Sequence, residues 1–178
     1  MSIISLIFTT GAGLLLIISS CFKILSLQES AKSVYKIAFI HKKIATIIGY
    51  LFPFIELLVA ILLIIQVSNI WVNTIAIIII SAFIIINSNA IFKHSNIECF
   101  CFGKLLKTKM GIGGLIQSLL LFFSILPNII FNNSKVISIF SFNEYNFEYT
   151  ALVIAIMLWT LSLILIRTSL DKLISPNI

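Results

Sequence analysis

Apolar residues run along this chain in five long blocks, Ile3–Leu25, Ile44–Ile65, Ile70–Phe92, Ile112–Phe131 and Thr150–Ile166. Each approaches or exceeds the roughly 20 residues that a helix needs to cross a hydrocarbon layer about 30 Å thick. Charged residues gather between the blocks, and only Lys23 and Glu56 fall inside them. Runs such as Ile77–Ile80 favour strand in water. In lipid, however, a strand persists only in a closed barrel, whereas a helix satisfies its own backbone. The period-two polar alternation of barrel strands is missing. The pattern predicts an all-α polytopic membrane protein of five transmembrane helices, with one integral domain.

The segments between the blocks differ in kind. No basic flank precedes the first block, and its apolar stretch exceeds the 7–15 residues usual in a signal peptide, so it reads as a retained span. In Ser26–Lys43, Val34, Tyr35, Ala38 and Phe39 share one helical face, with Lys32, Lys36 and Lys43 off it. That pattern fits an amphipathic helix lying on the membrane surface, or an ordinary polar loop. Gln66–Asn69 is a tight uncharged turn, which makes the second and third spans antiparallel neighbours. Asn132–Tyr149 is aromatic, with Phe140, Phe142, Tyr145, Phe147 and Tyr149, and suits an interfacial belt or a partner-docking loop.

Composition agrees. Hydrophobic residues make up 60% of the 178 positions and charged residues 10%, too few to cover a soluble fold. Mean hydropathy is +1.18. The net charge of +6 is spread too thinly for nucleic-acid binding, and it carries information about topology instead. Numbering the spans from one side, all but one of the 12 basic residues fall on the other: Lys23, Lys32, Lys36, Lys42 and Lys43 after the first span, Lys93, Lys104, Lys107 and Lys109 after the third, and Arg167 and Lys172 at the end. Lys135 is the exception, near Glu144 and Glu148. The excess of Lys and Arg on cytoplasmic loops predicts an outside N-terminus, with the C-terminus and the loop Lys93–Met110 inside a cell membrane.

Few residues here do not suit lipid. Cys99 and Cys101 form a Cys-x-Cys pair in that cationic loop. Closing such a small ring demands a turn, and a strained disulfide is easily reduced. Neighbouring lysines favour the attacking thiolate. A redox-active dithiol, a metal site drawing on His94 and Glu98, and two inert thiols are the competing readings. The spacing matches no common zinc pattern, so no metal is expected. Cys21 lies on the same side and is either a third thiol or a small packing residue. Glu56 is costly in hydrocarbon unless paired, protonated or hydrated. Pro53, one turn before it, withdraws a backbone donor and frees a carbonyl. Lys23 is its obvious partner if the second helix starts late or kinks inward; otherwise Lys23 snorkels to the headgroups. Asn73, Asn87, Asn89, Gln117 and Ser118 are available for bonds between helices, and Gly11, Gly13, Gly111, Gly113 and Gly114 for close approach.

Three motifs stand in a recognisable order: Cys21-Phe22-Lys23-Ile24-Leu25 ending the first span, Phe52-Pro53-Phe54-Ile55-Glu56-Leu57-Leu58 in the second, and Cys99-Phe100-Cys101-Phe102-Gly103 after the third. Together, over about Gly11 to Leu126, they resemble the MauE family of methylamine-utilisation membrane proteins, within the DoxX-like group. Its members tend to show a Lys closing helix one, Pro-x-x-Glu in helix two and Cys-Gly-Cys-Phe-Gly before helix four. Phe100 replaces the usual Gly between the cysteines, and Gln117-Ser118 stands where a more basic pair is expected.

The resemblance implies a four-helix bundle, here with a fifth transmembrane helix, and thiol–disulfide exchange at Cys99 and Cys101 with Gly103 in the loop turn. Lys23 and Glu56 would be a polar, proton-handling pair. The implied role is redox-linked maturation of a secreted or periplasmic protein, with a thioredoxin-like protein and a Cys-containing exported client as partners. No cofactor is evident, and no residue pattern demands a quinone as electron partner. A non-enzymatic accessory or immunity protein, and a small proton-coupled transporter built around Glu56, are the alternatives.

Overall fold

A computed structural model describes residues 3–28, 32, 42–65, 69–92, 98–99, 108–109, 111–130 and 147–174. Among them are five helices: α1 (Ile3–Leu25), α2 (Lys42–Ile65), α3 (Ile70–Phe92), α4 (Ile112–Ile130) and α5 (Phe147–Ile174). All five are long and apolar enough to cross a membrane. Between α3 and α4, β1 (Glu98–Cys99) pairs antiparallel with β2 (Thr108–Lys109), Cys99 opposite Thr108. The amphipathic segment read in Ser26–Lys43 lies largely outside the described residues, as does most of the aromatic loop Asn132–Tyr149.

Helices α1 to α4 form a closed ring of neighbours, and α5 lies in the groove between α1 and α4. The protein is thus a four-helix bundle with a fifth helix seated against it. Without water to drive apolar surfaces together, helices in lipid associate through close packing and polar contacts. Glycines make that closeness here. A Cβ on Gly11 would lie 2.7 Å from Trp159 Cδ1 of α5, and one on Gly13 would lie 3.3 Å from the Ala60 carbonyl of α2. Trp159 also meets Phe8 edge-on, with ring centroids 4.4 Å apart, and Thr160 donates to the Gly11 carbonyl at 3.3 Å.

The interior is layered. Leu16, Leu63, Ile80, Leu121 and Ile125 belong to an apolar middle. Toward one end lie buried Thr9, Asn73, Ser124 and Asn128; toward the other lie buried Ser19, Lys23, Glu56, Asn87, Gln117 and Arg167. Hydroxyl side chains are tolerated because they bond carbonyls of their own helix, as Thr10 does to Leu6 at 2.6 Å and Ser118 to Gly114 at 2.7 Å. Asn69 accepts from the Trp71 amide at 3.0 Å, an N-terminal cap that starts α3 cleanly. Ile78, Phe123 and Leu161 are among the large apolar side chains left on the outside, a surface suited to lipid tails.

The fifth helix departs from expectation. It continues past Ile166 to Ile174. Arg167 and the residues after it were expected to end the span, yet Arg167 pairs with Asp171 one turn on, Nε to Oδ2 3.1 Å, and the helix carries both. Charged residues within the spans are therefore not confined to Lys23 and Glu56.

Candidate functional site

The polar end of the interior collects at the end where α1, α3 and α5 finish and α4 begins. Lys23, in the last turn of α1, reaches Glu56 of α2, Nζ to Oε2 2.6 Å. Ser19, one turn earlier, donates to the other carboxylate oxygen at 3.3 Å. Both oxygens of Glu56 thus accept a hydrogen bond. The ammonium also lies 4.7 Å from the ring centroid of Phe83 and 5.6 Å from that of Phe52. Those rings meet edge-on at 5.4 Å, so the cation is held between a carboxylate and two aromatic faces.

The register of α1 and α2 explains how a mid-helix Glu meets a Lys at a helix end. Glu56 faces Ser19 and Lys23, and Gly13 faces Ala60 and Ile64. The start of α2 therefore runs two to three turns, about 12–15 Å, beyond the last turn of α1. Ile44, Ile47, Tyr50 and Leu51 in that overhang are exposed. The late start expected of this helix is not seen: α2 begins at Lys42, before Ile44, and the pair meets because α2 overhangs the end of α1. Pro53 is buried inside an uninterrupted helix, where it cannot donate to the carbonyl of Gly49.

A cavity of about 40 Å³ opens beside this pair, lined by Ser19, Lys23, Glu56, Asn87, Gln117, Ser118 and Arg167 against Leu15, Leu16, Phe83 and Leu121. Arg167, 1% exposed, is the residue that sequence reasoning missed, having been read as a cytoplasmic cation outside the fifth span. Its signal was present: Ile156, Thr160, Leu163 and Arg167 recur at helical spacing, and all four are buried. Gly113 and Gly114 make room for it. A Cβ on Gly114 would lie 2.6 Å from Arg167 Nη1 and would collide with Asn87 Oδ1; one on Gly113 would collide with Asp171 Oδ1.

The cysteines are placed differently. Cys21 is exposed, on the outer side of α1, while Ser19, Ser20 and Lys23 turn inward. Cys99 stands in β1, in the connection between the end of α3 and the start of α4, with β2 lying against α5. In sequence Cys101 and Gly103 fall between the two strands and His94 before them, and all three lie outside the described residues. The connection carrying the Cys-x-Cys motif thus leaves and re-enters the bundle at the same end as the charged cavity.

Fold and site together define a multi-pass α-helical membrane protein with a buried lysine–glutamate pair and a cysteine-bearing connection at one end. The chain belongs to the MauE family: residues 1–130 match the family described as Methylamine utilisation protein MauE. That match takes in α1 to α4, Lys23, Glu56 and the cysteine connection; α5, with Arg167 and Asp171, lies beyond it. Comparison with curated proteins and with solved structures gives no match.

Proposed function

We propose that this protein is a membrane thiol–disulfide relay supporting the maturation of a secreted or periplasmic protein. Cys99 and Cys101 are the exchanging pair, and Lys23 with Glu56 is the buried charged element at the end of the bundle where their connection begins and ends. One thiolate attacks a partner disulfide, forming a mixed disulfide and releasing the first partner sulfur as thiolate. The second cysteine then attacks its neighbour's sulfur and releases the other partner sulfur. Two electrons pass to the partner, and the two protons lost by the cysteines end on its thiols; the same steps reversed oxidise the partner. A thioredoxin-like protein is the proposed electron partner, and a Cys-containing exported protein the client.

The observation that carries this reading is the common location of the Cys99 connection and the charged cavity at one end of the bundle. A proton-coupled transporter centred on Glu56 fits less well. Leu16, Leu63, Ile80, Leu121 and Ile125 are packed together between the cavity and the opposite end. An apolar layer of that kind makes the cavity one-sided.

Alkylation of thiols in membranes held at set redox potentials, read by mass, tests the relay. Cys99 and Cys101 are expected to gain and lose alkylation together as the potential changes. If both stay reduced throughout, and the double replacement by Ser leaves client maturation intact, the reading is wrong.

A further inference from the structure

One ion pair and the cation of a second border one cavity, and the two pairs come from different parts of the chain. Lys23 and Glu56 belong to the family-matched segment, whereas Arg167 and Asp171 sit on α5, outside it. Arg167 lines the same cavity of about 40 Å³ as Lys23 and Glu56. A water needs only about 10–15 Å³ of such space and two to four polar partners. Asn87 supplies one partner. It is 5% exposed, its Nδ2 donates to the Phe83 carbonyl at 2.9 Å, and its Oδ1 has no hydrogen-bond partner among the described residues. Ser118 donates to Gly114, so its oxygen still offers lone pairs to the cavity it lines.

The entry of Arg167 is built into α4. With any side chain at position 114, the guanidinium and the Asn87 amide would both be displaced. In an interior of low effective dielectric, charges joined by a hydrogen-bonded network influence one another more strongly than in water.

We infer that the cavity holds ordered water linking Arg167 to the Lys23–Glu56 pair, which makes Arg167 a positioning residue of the buried site and α5 a working part of it. What the coupling serves rests on the relay reading; the coupling itself is measured without thiol chemistry.

The full-length protein in lipid nanodiscs provides the test. The Glu56 carboxylate infrared band is first assigned by its loss in Glu56→Gln. It is expected to shift in Arg167→Gln, and to return toward its original position in Arg167→Lys, which keeps the charge. Exchange into ¹⁸O-water is expected to reveal a buried-water band that disappears in Ser118→Leu, where the side chain fills the space. Unfolding equilibria of Glu56→Gln, Arg167→Gln and the double variant are expected to depart from additivity by at least three-fold. Should Arg167→Gln not fold, Ser118→Leu replaces it in the cycle and in the infrared comparison, since filling the cavity removes the water that carries the coupling and is expected to move the Glu56 band.

An unmoved Glu56 band with additive unfolding, or the lack of any exchangeable water band, overturns the inference. Repeating the measurements with Cys99 and Cys101 both replaced by Ser separates the two proposals. A failed relay leaves the coupling intact, and a failed coupling leaves thiol exchange intact.

Discussion

Lys23 Nζ lies 2.6 Å from Glu56 Oε2, and the two side chains are 6% and 1% exposed. Either charge alone in hydrocarbon is expensive. Together they form a neutral unit whose remaining capacity is met by Ser19 and the faces of Phe52 and Phe83. The site is therefore tolerable in the bundle only as a pair, and each partner is a liability without the other.

Breaking the pair follows from that asymmetry. Lys23→Met or Glu56→Gln alone is expected to destabilise the protein by about 3–5 kcal/mol, because one buried group loses its partner. Lys23→Met combined with Glu56→Leu is expected to recover most of the loss, since no charge remains to be desolvated. Reversible unfolding in mixed micelles measures all three. A double variant less stable than both singles would show that the ion pair itself contributes net stability. On the relay reading, the double variant folds but does not support client maturation.

Much of this was legible in the residues, and for identifiable reasons. Long apolar blocks have one solution in lipid, so the helices from Ile3, Ile70 and Ile112 start where the pattern puts them. Lys23 and Glu56 stood out because a charge inside an apolar block is costly unless it is paired, neutralised, hydrated or able to snorkel. Arg167 did not stand out, because it follows the last apolar run and so reads as a flank. Only the buried stripe through Ile156, Thr160 and Leu163, and the glycines of α4 that receive the guanidinium, mark it as interior. The reach between Lys23 and Glu56 was likewise beyond the pattern, since helix register is set by contacts such as Gly13 with Ala60.

The seating of α5 depends on Gly11. A methyl group there would meet Trp159 Cδ1 at 2.7 Å, and the ring is already held by Phe8. Gly11→Ala is expected to cost about 1–3 kcal/mol through overpacking. It should also shift the Trp159 fluorescence, read with Trp71→Phe as background. Adding Trp159→Leu is expected to relieve the clash, so the two changes together should be milder than their separate effects imply.

At the opposite end of the bundle, Asn128 donates to Asn73 at 3.3 Å, with both side chains buried. Hydrogen bonds between membrane helices contribute about 0.6 kcal/mol on average. Asn128→Leu is therefore expected to lower stability only slightly in the same unfolding measurement. Thiol alkylation at Cys99 should be unchanged, because the apolar layer separates this contact from the cavity.

Orientation is the remaining relationship open to direct measurement. Basic residues crowd the end that holds the cysteine connection, with Lys93, Lys104, Lys107 and Lys109 in that connection alone. A bias of this kind keeps a loop on the cytoplasmic face. Intact cells treated with a membrane-impermeant maleimide are expected to leave Cys99 and Cys101 unlabelled, and to label a Lys135→Cys variant in which the native cysteines are replaced by Ser. Permeabilised cells should give labelling at both places. Labelling of native Cys99 or Cys101 from outside would invert the topology and let the thiol pair meet an exported client directly. The expected result instead leaves two routes to such a client: the relay takes reducing equivalents from the cytoplasm and passes them across, or the cysteine loop folds back into the bundle.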